Sequence, residues 1–373
     1  NGRKSMQNYA IDLLTKMLEI YSPSGRETKL TEFLLSKLKE LGYDAKIDEI
    51  GNLIGSIGKG NPTILLCSHL DTVPGVIPVK IENGFLYGRG AVDAKASLAA
   101  MIVAGANFAT HNSQGEVLVT GVIDEERNSR GIKHFVKKKS SIHYAIFGEP
   151  SGVENVTIGY KGSLHFKITC QTQSGHSSAP WMYTNAIEKA FEAWKTLKAS
   201  LSDKMMGKSP FYSVTASPTK IRGGTNFNVI PGTCEIHIDI RVPPPLKCKG
   251  IINEAQHVLQ QFHSANPEVN VSLKILDQNE PFETDGKSKL VHALTWAIRE
   301  ITGKPARLLR KTGTGDMNIL GNQLKIPVVT YGPGDSHLDH APNEHIAISE
   351  VLESVKIYEK ALAKLVELHL RRC

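Results

Sequence analysis

The chain has 373 residues, a net charge of +7 and 40% hydrophobic residues, a composition that argues against an intrinsically disordered protein. A chain of this length is longer than a typical domain with a single hydrophobic core, so we expect two domains. The longest apolar runs are only strand-length, and the basic residues are dispersed without interleaved aromatic residues, so we expect neither a membrane partner nor a nucleic-acid partner.

The five cysteines are scattered and form no Cys-x-x-Cys pair; they are Cys67, Cys170, Cys234, Cys248 and Cys373. An odd, scattered set argues against a disulfide framework and against a cysteine-based zinc site, and it is typical of a reducing compartment. Because the chain also opens without a recognisable signal sequence, we expect a cytoplasmic protein.

The first part of the chain alternates helical and strand-like segments. Apolar residues at helical spacing predict helices, whereas short apolar runs predict strands. In chain order these are helices over 9–21 and 27–42, strands over 45–48, 53–57 and 64–69, a helix over 96–108, and strands over 117–123 and 144–148. Continuously apolar strands are typical of a parallel sheet buried on both faces. We therefore predict an α/β fold with a mixed, largely parallel sheet and helices on both of its faces.

The pattern changes after Gly162. Strands over 163–172, 212–221, 232–242 and 269–275 enclose helices over 186–197 and 250–262, in the order β-α-β-β-α-β. This order is that of the ferredoxin-like split unit. A helix over 288–301, a strand beginning at 326 and a helix over 349–368 then resume the first pattern. We predict a discontinuous first domain of residues 1–160 and 276–373, interrupted by an α+β domain of residues 161–275.

Histidine and acidic side chains stand where several of the apolar strands end. They are His69, Asp71, Glu125, Glu126 and Glu149, and Asp93 lies in a loop that enters the helix over 96–108. Ligands of open α/β sheets bind beyond the carboxyl ends of the strands, so these side chains should converge on one edge. Histidine, aspartate and glutamate ligands together suit zinc or a similar divalent ion.

Some of these residues also have ordinary structural interpretations. Asp93 stands where a helix N-cap would stand. Asp71 follows His69 by two positions on a strand, so it could orient that imidazole through a hydrogen bond. Near the end of the chain, three histidines compete for one ligand position, namely His337, His340 and His345. The sequence lacks a Gly-x-Ser-x-Gly elbow, a phosphate loop and a dinucleotide fingerprint, so serine or cysteine nucleophile chemistry is unsupported.

Six ordered motifs resemble those of the ArgE/DapE/carboxypeptidase family of dinuclear-zinc amide hydrolases, over nearly the whole chain. They are Ser-His-Leu-Asp-Thr-Val-Pro-Gly at 68–75, Gly-Arg-Gly-Ala-Val-Asp-Ala-Lys at 88–95, Asp-Glu-Glu at 124–126, Gly-Glu-Pro at 148–150, Ser-Gly-His-Ser-Ser at 174–178 and His-Ala-Pro-Asn-Glu at 340–344. The resemblance implies a catalytic domain of the zinc-exopeptidase type, interrupted by a ferredoxin-like lid that forms a homodimer.

The same resemblance implies roles for individual residues. Two divalent ions are implied, zinc with cobalt as the alternative. One ion would be held by His69, Asp93 and Glu149, and the other by Asp93, Glu126 and His340. Asp71 would orient His69, and Glu125 would be the general base that accepts a proton from the attacking water. In the lid, His176 would reach the partner subunit's active site and stabilise the oxyanion, whereas Asn228 and Arg241 would contact the substrate carboxylate.

Within the family, the segment Lys-Thr-Gly-Thr-Gly-Asp-Met-Asn at 311–318 is most similar to the LysK-type hydrolases. The resemblance implies release of lysine, or ornithine, from the terminal glutamate γ-carboxyl of an acidic amino-group carrier protein, LysW. A basic enzyme and an acidic carrier are electrostatically complementary. The alternatives are a deacylase of acetylornithine, acetyl-lysine or succinyl-diaminopimelate, and a dipeptidase or carboxypeptidase. A metal-stabilised binding protein without catalysis is disfavoured because Glu125 is present.

Overall fold

The computed structural model describes residues 2–138, 141–202 and 209–371, with side chains described from position 8 onward. The chain divides into two compact units. The first comprises Asn1–Ile158, Thr284–Leu309 and Ile319–Cys373, and the second comprises Gly159–Glu283 and Arg310–Asn318. The predicted lid, residues 161–275, falls inside the second unit. Among the described residues, Cys67, Cys170, Cys234 and Cys248 are buried and form no disulfide, whereas Cys373 lies outside them.

The described helices are α1 (Gly2–Glu19), α2 (Thr28–Glu40), α3 (Lys95–His111), α4 (Arg130–Phe135), α5 (Ala186–Ser202), α6 (Cys248–Ala265), α7 (Lys289–Thr302), α8 (Asp316–Leu324) and α9 (Ile348–Leu370). The strands of the first half of the chain are β1 (Asp44–Ile47), β2 (Leu53–Lys59), β3 (Thr63–His69), β4 (Lys80–Glu82), β5 (Phe85–Tyr87), β6 (Gly115–Val122), β7 (Tyr144–Phe147), β8 (Asn155–Tyr160) and β9 (Gly162–Gln171).

The remaining strands are β10 (Gly175–His176), β11 (Thr215–Gly223), β12 (Val229–Ile230), β13 (Thr233–Val242), β14 (Asn270–Asn279), β15 (Phe282–Glu283), β16 (Arg307–Lys311), β17 (Val328–Thr330) and β18 (His345–Ala347). Short 3₁₀ turns occupy Pro180–Met182, Pro210–Tyr212 and Ser336–Leu338. None of the helices in the described ranges combines the length and the apolar character needed to cross a bilayer.

The large sheet of the first unit places the functional residues. Its strands lie in the order β1-β2-β6-β3-β7-β17-β8, and β16 also pairs with β8. The central strands β6, β3, β7 and β17 are parallel, and the flanking strands β1, β2 and β8 pair antiparallel. Strands β3 and β7 are almost entirely buried, as expected for a parallel sheet covered by helices. The predicted mixed, largely parallel fold class is confirmed.

Helix α3 is the central helix of the first unit. It packs against β3 and β6 and against α1 and α9, and it is buried on nearly every side, from Ala96 to Phe108. Small residues allow this close packing; at Gly105, for example, an added Cβ would collide with the Tyr43 hydroxyl, which donates a 2.6 Å hydrogen bond to the Ile102 carbonyl. The loop that carries Asp93 is therefore anchored on a rigid element.

The second unit has the predicted β-α-β-β-α-β order, formed by β9, α5, β11, β13, α6 and β14. Its antiparallel sheet has the strand order β11-β13-β9-β14. Both helices pack on this sheet and on each other, which explains why β9 and β13 alternate between buried and half-buried residues. Strand β14 continues to Asn279, four residues past the predicted end of the insertion, because its pairing with β9 extends to Ser163.

Candidate metal centre

The acidic and histidine residues predicted at strand ends converge at one edge of the first unit's sheet. His69 is the last residue of β3 and pairs with Val122, the last residue of β6. The Glu125–Glu126 pair follows β6 and Glu149 follows β7. Because β6, β3 and β7 are adjacent and parallel, their carboxyl ends meet at the same edge. We call His69, Asp93, Glu125, Glu126, Glu149 and His340 the strand-end cluster.

Asp93 is the centre of this cluster. One carboxylate oxygen, Oδ1, lies 2.9 Å from Nε2 of His69, and the other, Oδ2, lies 3.1 Å from Nε2 of His340. Helix α3 has Ala94 as its N-cap residue, without a side-chain capping bond, so capping does not occupy the Asp93 carboxylate. A carboxylate with a histidine at each oxygen has the arrangement expected of a group that bridges two ions.

Two further carboxylates complete the cluster. Glu149 Oε1 lies 3.6 Å from Nε2 of His69, and Glu126 Oε1 lies 3.0 Å from Nε2 of His340. Two sets of three possible ligand atoms each lie within 4.8 Å of one another, His69 with Glu125 and Glu149, and Asp93 with Glu126 and His340. The second set equals a ligand set implied by the resemblance, whereas in the first set Glu125 stands where Asp93 was expected.

The donor set fits divalent metal ions. Four carboxylates lie in this cluster and only two imidazoles accompany them. Carboxylates packed this closely repel one another unless cations lie between them. Oxygen and imidazole nitrogen donors are the ligands of zinc and related ions. The assignment of individual residues to one ion or the other remains a prediction.

Asp71 connects the cluster to the polypeptide backbone. The His69 Nδ1 atom lies 2.8 Å from the Asp71 carbonyl oxygen and 3.7 Å from its carboxylate Oδ1. The carboxylate instead accepts the backbone N–H of Glu125 at 3.0 Å and that of Glu126 at 3.1 Å, and the Ser24 hydroxyl at 2.7 Å. The Asp71 carbonyl oxygen therefore accepts the close hydrogen bond from His69 Nδ1–H, and the Asp71 carboxylate accepts those of the two glutamate N–H groups.

Glu344 is a structural residue of the site that the sequence interpretation did not single out. Its side chain is 1% exposed. Its carboxylate accepts hydrogen bonds from Arg89 Nη1 at 2.9 Å, Gly90 N at 3.0 Å, Val92 N at 2.8 Å and Asp93 N at 3.0 Å. The loop that presents Asp93 is thus held by a carboxylate from the far end of the chain. The sequence signal that could have identified Glu344 is its place at the end of the His-Ala-Pro-Asn-Glu motif at 340–344.

Lys95 anchors the other side of the same loop. Its ammonium group donates to the carbonyls of Met17 at 2.8 Å and Ile20 at 2.9 Å. Burial lowers the pKa of Lys95 to about 7, although Glu344 opposes this shift. The loop that carries Asp93 is therefore held by Glu344 along its backbone and by Lys95 at its end.

Of the three competing histidines, His340 is the one that joins the cluster. His337 is 92% exposed and its Nδ1 lies 2.7 Å from Asp335. The Nδ1 atom of His345 lies 2.6 Å from the Asn343 carbonyl, and its ring stacks on Tyr87. His340 has a φ of 61°, a left-handed conformation that non-glycine residues rarely adopt and that often marks functional positions.

The three predicted lid residues all lie in the second unit. The Ser177 N–H donates to the Asn228 carbonyl at 3.0 Å, and β10 pairs with β12 beside it, so His176 and Asn228 are neighbours. Nδ1 of His176 accepts the Ser178 N–H at 3.1 Å. Arg241 lies on β13, where its Nε donates to Asp239 Oδ2 at 3.0 Å. Their catalytic and substrate-binding roles remain predictions.

The cluster carries shifted pKa values with clear causes. The hydrogen bond to Asp93 and the nearby Glu126 raise the pKa of His340 to about 9, against a smaller effect of burial. Burial and then Asp93 raise the pKa of Glu126. Burial lowers the pKa of His69, but Glu149, Asp71 and Asp93 outweigh it and raise that pKa well above its ordinary value.

We expect zinc binding to protein stripped of metal to release protons and to strengthen as pH rises toward 9. An imidazole ligates only in its neutral form, and His340 holds its proton below pH about 9. Affinity should rise by about tenfold per pH unit for each proton displaced. Titration calorimetry in buffers of different ionisation enthalpy counts these protons. His340→Ala should reduce the count, and the exposed neighbour His337→Ala should not; equal counts in both variants would contradict this assignment.

The comparisons with known proteins agree with this geometry. Residues 65–364 match the model of peptidase family M20/M25/M40. A LysW-lysine/LysW-ornithine hydrolase of Saccharolobus islandicus is 35% identical over 97% of this chain and 98% of its own length. A Pyrococcus furiosus protein, named provisionally as the same hydrolase, is 38% identical over 95% of this chain and 97% of its own length.

Solved structures show the same fold. An M20 family metallo-carboxypeptidase from Sulfolobus solfataricus superposes with a TM-score of 0.79 at 19% identity, over 96% of this chain and 99% of its own. The aminopeptidase PepT of Bacillus cereus gives a TM-score of 0.80 at 19% identity, over 96% of this chain and 98% of its own. The family resemblance seen in the motifs is confirmed: the chain belongs to peptidase family M20/M25/M40 and is a metal-dependent amide hydrolase.

Proposed function

We propose that this protein hydrolyses the amide that joins lysine, or ornithine, to the terminal glutamate γ-carboxyl of the amino-group carrier protein LysW, in the cytoplasm, as a step of lysine or arginine biosynthesis. The observation that carries this proposal is identity of 35% to 38% over almost the full length of relatives named for that reaction. The net charge of +7 also favours encounter with an acidic carrier protein.

The strand-end cluster supports two divalent ions as cofactors, zinc with cobalt as the alternative. The proposed ligands are His69, Asp93, Glu126, Glu149 and His340. When bound, such ions act as Lewis acids and lower the pKa of water toward neutrality. The Glu344 carboxylate and the Asp71 carboxylate keep the ligand-bearing loops in place through backbone hydrogen bonds.

Glu125 is the proposed general base. Its backbone N–H is held by Asp71, and its carboxylate lies within 4.8 Å of the ligand atoms of His69 and Glu149. A carboxylate held at that distance can accept a proton from the attacking water and return it to the leaving amine. Asp71 supports this role because it holds Glu125 and Glu126 by adjacent N–H groups, so that one can serve as a base while the other serves as a ligand.

We also propose that two chains form a homodimer through the second unit, and that His176 of one chain stabilises the oxyanion in the site of the other. Strand β11 is an edge strand of the four-stranded sheet and is exposed along nearly its whole length. Unprotected edges of this kind commonly pair with another chain. We expect a mass in solution of twice 40.8 kDa by light scattering, and a mass of one chain would contradict the dimer.

The experiment that tests the substrate is a panel of amides at equal concentration. It contains carrier-linked lysine, carrier-linked ornithine, acetylornithine, acetyl-lysine and succinyl-diaminopimelate, together with a dipeptide. We expect the highest kcat/KM with a carrier-linked amide, measured as release of the free amino acid. Higher kcat/KM with a free acylated amino acid would instead assign a small-molecule deacylase, and preference for the dipeptide would assign a peptidase.

A further inference from the structure

Arg241 is held at two points within the second unit. Its Nε donates to Asp239 Oδ2 at 3.0 Å, and its Nη1 donates to the Thr314 hydroxyl oxygen at 3.2 Å. Asp239 is two residues earlier on the same strand, whereas Thr314 comes from the segment at 311–318, distant in sequence. Two bonds from different directions restrict a guanidinium far more than one, because the group is planar and its donors have fixed directions.

Thr314 is itself fixed. Its hydroxyl donates to the Lys161 carbonyl at 2.7 Å, which leaves the oxygen lone pairs free to accept from Arg241. The Asn318 amide donates to the same carbonyl at 3.1 Å and to the Glu280 carbonyl at 2.9 Å. The backbone of Lys161 also donates to the Lys311 carbonyl at 3.2 Å. The acceptor that Thr314 presents to Arg241 is therefore part of a connected network.

The Arg241 guanidinium retains a donor group and a positive charge for a further partner. Within the described part of the chain, Nη2 of Arg241 donates no hydrogen bond, and the side chain is 32% exposed. Burial, and then the positive charge of Arg241, lower the pKa of Lys161. A planar cation with an exposed edge is suited to bind a carboxylate.

We propose that Thr314 is a positioning residue that orients Arg241 toward the substrate carboxylate, without contacting the substrate. This inference rests on the proposed function in one respect, that Arg241 binds the carboxylate of the amide substrate. It adds a specific role for the Lys-Thr-Gly-Thr-Gly segment, whose Thr312 is exposed whereas Thr314 takes part in the network.

The first test compares three variants in steady-state kinetics. Thr314→Val removes both hydrogen bonds with little change in volume, and we expect KM to rise about tenfold with kcat nearly unchanged, the size typical of a lost bond to a charged group. Thr314→Ser keeps the hydroxyl and should restore the wild-type KM. Thr312→Val, on the same loop, is the matched control and should be neutral. A fall in kcat without a change in KM would overturn the inference.

A double-mutant cycle separates positioning from direct contact. In an Arg241→Ala background, Thr314→Val should have no further effect, because the group it orients is gone. Equal effects in both backgrounds would show that Thr314 acts on its own and would overturn the inference. The cycle is run with the amide that the wild type hydrolyses best, so a result that rejects the carrier protein as substrate does not decide the role of Thr314.

A crystal structure of Thr314→Val gives a readout that needs no activity. We expect the Arg241 guanidinium to adopt another rotamer or several, while the backbone of β13 stays in place. An unchanged, well-ordered guanidinium would overturn the inference whatever the substrate proves to be.

Discussion

Replacing Glu125 with Gln should lower kcat by about two to four orders of magnitude while leaving the metal content unchanged. The amide keeps the shape of the side chain but cannot accept a proton at the pH of the reaction. Its backbone N–H, which donates to Asp71 Oδ1, is unaffected, so the loop should hold its position. The measurements are single-turnover kinetics and metal content by elemental analysis of the purified protein.

The neighbouring Glu126→Gln is the matched comparison. Glu126 Oε1 lies 3.0 Å from Nε2 of His340 and is a proposed ligand, so this variant should bind less metal. The comparison matters because the Glu125 carboxylate also lies within 4.8 Å of the ligand atoms of His69 and Glu149. If Glu125→Gln lost an ion as Glu126→Gln does, Glu125 would be a ligand and the general base would have to be sought elsewhere.

Replacing Glu344 with Ala should lower the free energy of unfolding by about 3–5 kcal/mol, the usual cost of removing one partner of a buried ion pair. Glu344 is 1% exposed and Arg89 is 11% exposed, so the Arg89 charge would be left largely buried and uncompensated. Three backbone N–H groups, those of Gly90, Val92 and Asp93, would lose their acceptor as well. Chemical denaturation of the metal-free protein measures this effect.

The same substitution should also weaken metal binding, since the Glu344 carboxylate holds the backbone of Asp93. Glu82→Ala is the control: Glu82 is 52% exposed and pairs with Lys80, and such surface pairs contribute about 0–1 kcal/mol. If Glu344→Ala lowered the free energy of unfolding by no more than the control does, the Asp93 loop would be held mainly by other contacts, such as those of Lys95.

Local sequence patterns predicted much of the fold and the cluster for a definite physical reason. A buried parallel strand is apolar along nearly all of its length, so the polar residues that follow each apolar run mark its carboxyl end. This pattern predicts His69, the Glu125–Glu126 pair and Glu149 at one sheet edge, whereas the choice of Glu126 as the ligand of its pair comes from the family resemblance. The order of elements in the second unit was likewise readable, because helices and strands differ in the spacing of their apolar residues. Strands β4 and β5 were not predicted, since three residues carry no periodicity.

Other features depended on contacts between distant segments. Spacing alone could not choose among His337, His340 and His345, because all three lie in one loop-rich stretch, and the choice follows from proximity to Asp93 and Glu126. The carbonyl of Asp71, rather than its carboxylate, accepts the close bond from His69. Backbone geometry at a strand end decides which atom is nearer.

The class of fold, the family and the residue types that gather at the sheet edge are therefore predictable from the sequence, because they depend on local periodicity and on motifs of adjacent residues. The contacts that hold these residues in place become visible in the folded structure alone. Glu344 bonds to a loop about 250 positions earlier, and Thr314 bonds to Arg241 across 73 positions. Such bonds leave no periodic trace in the sequence, because their partners become neighbours only when the sheet and its helices have packed.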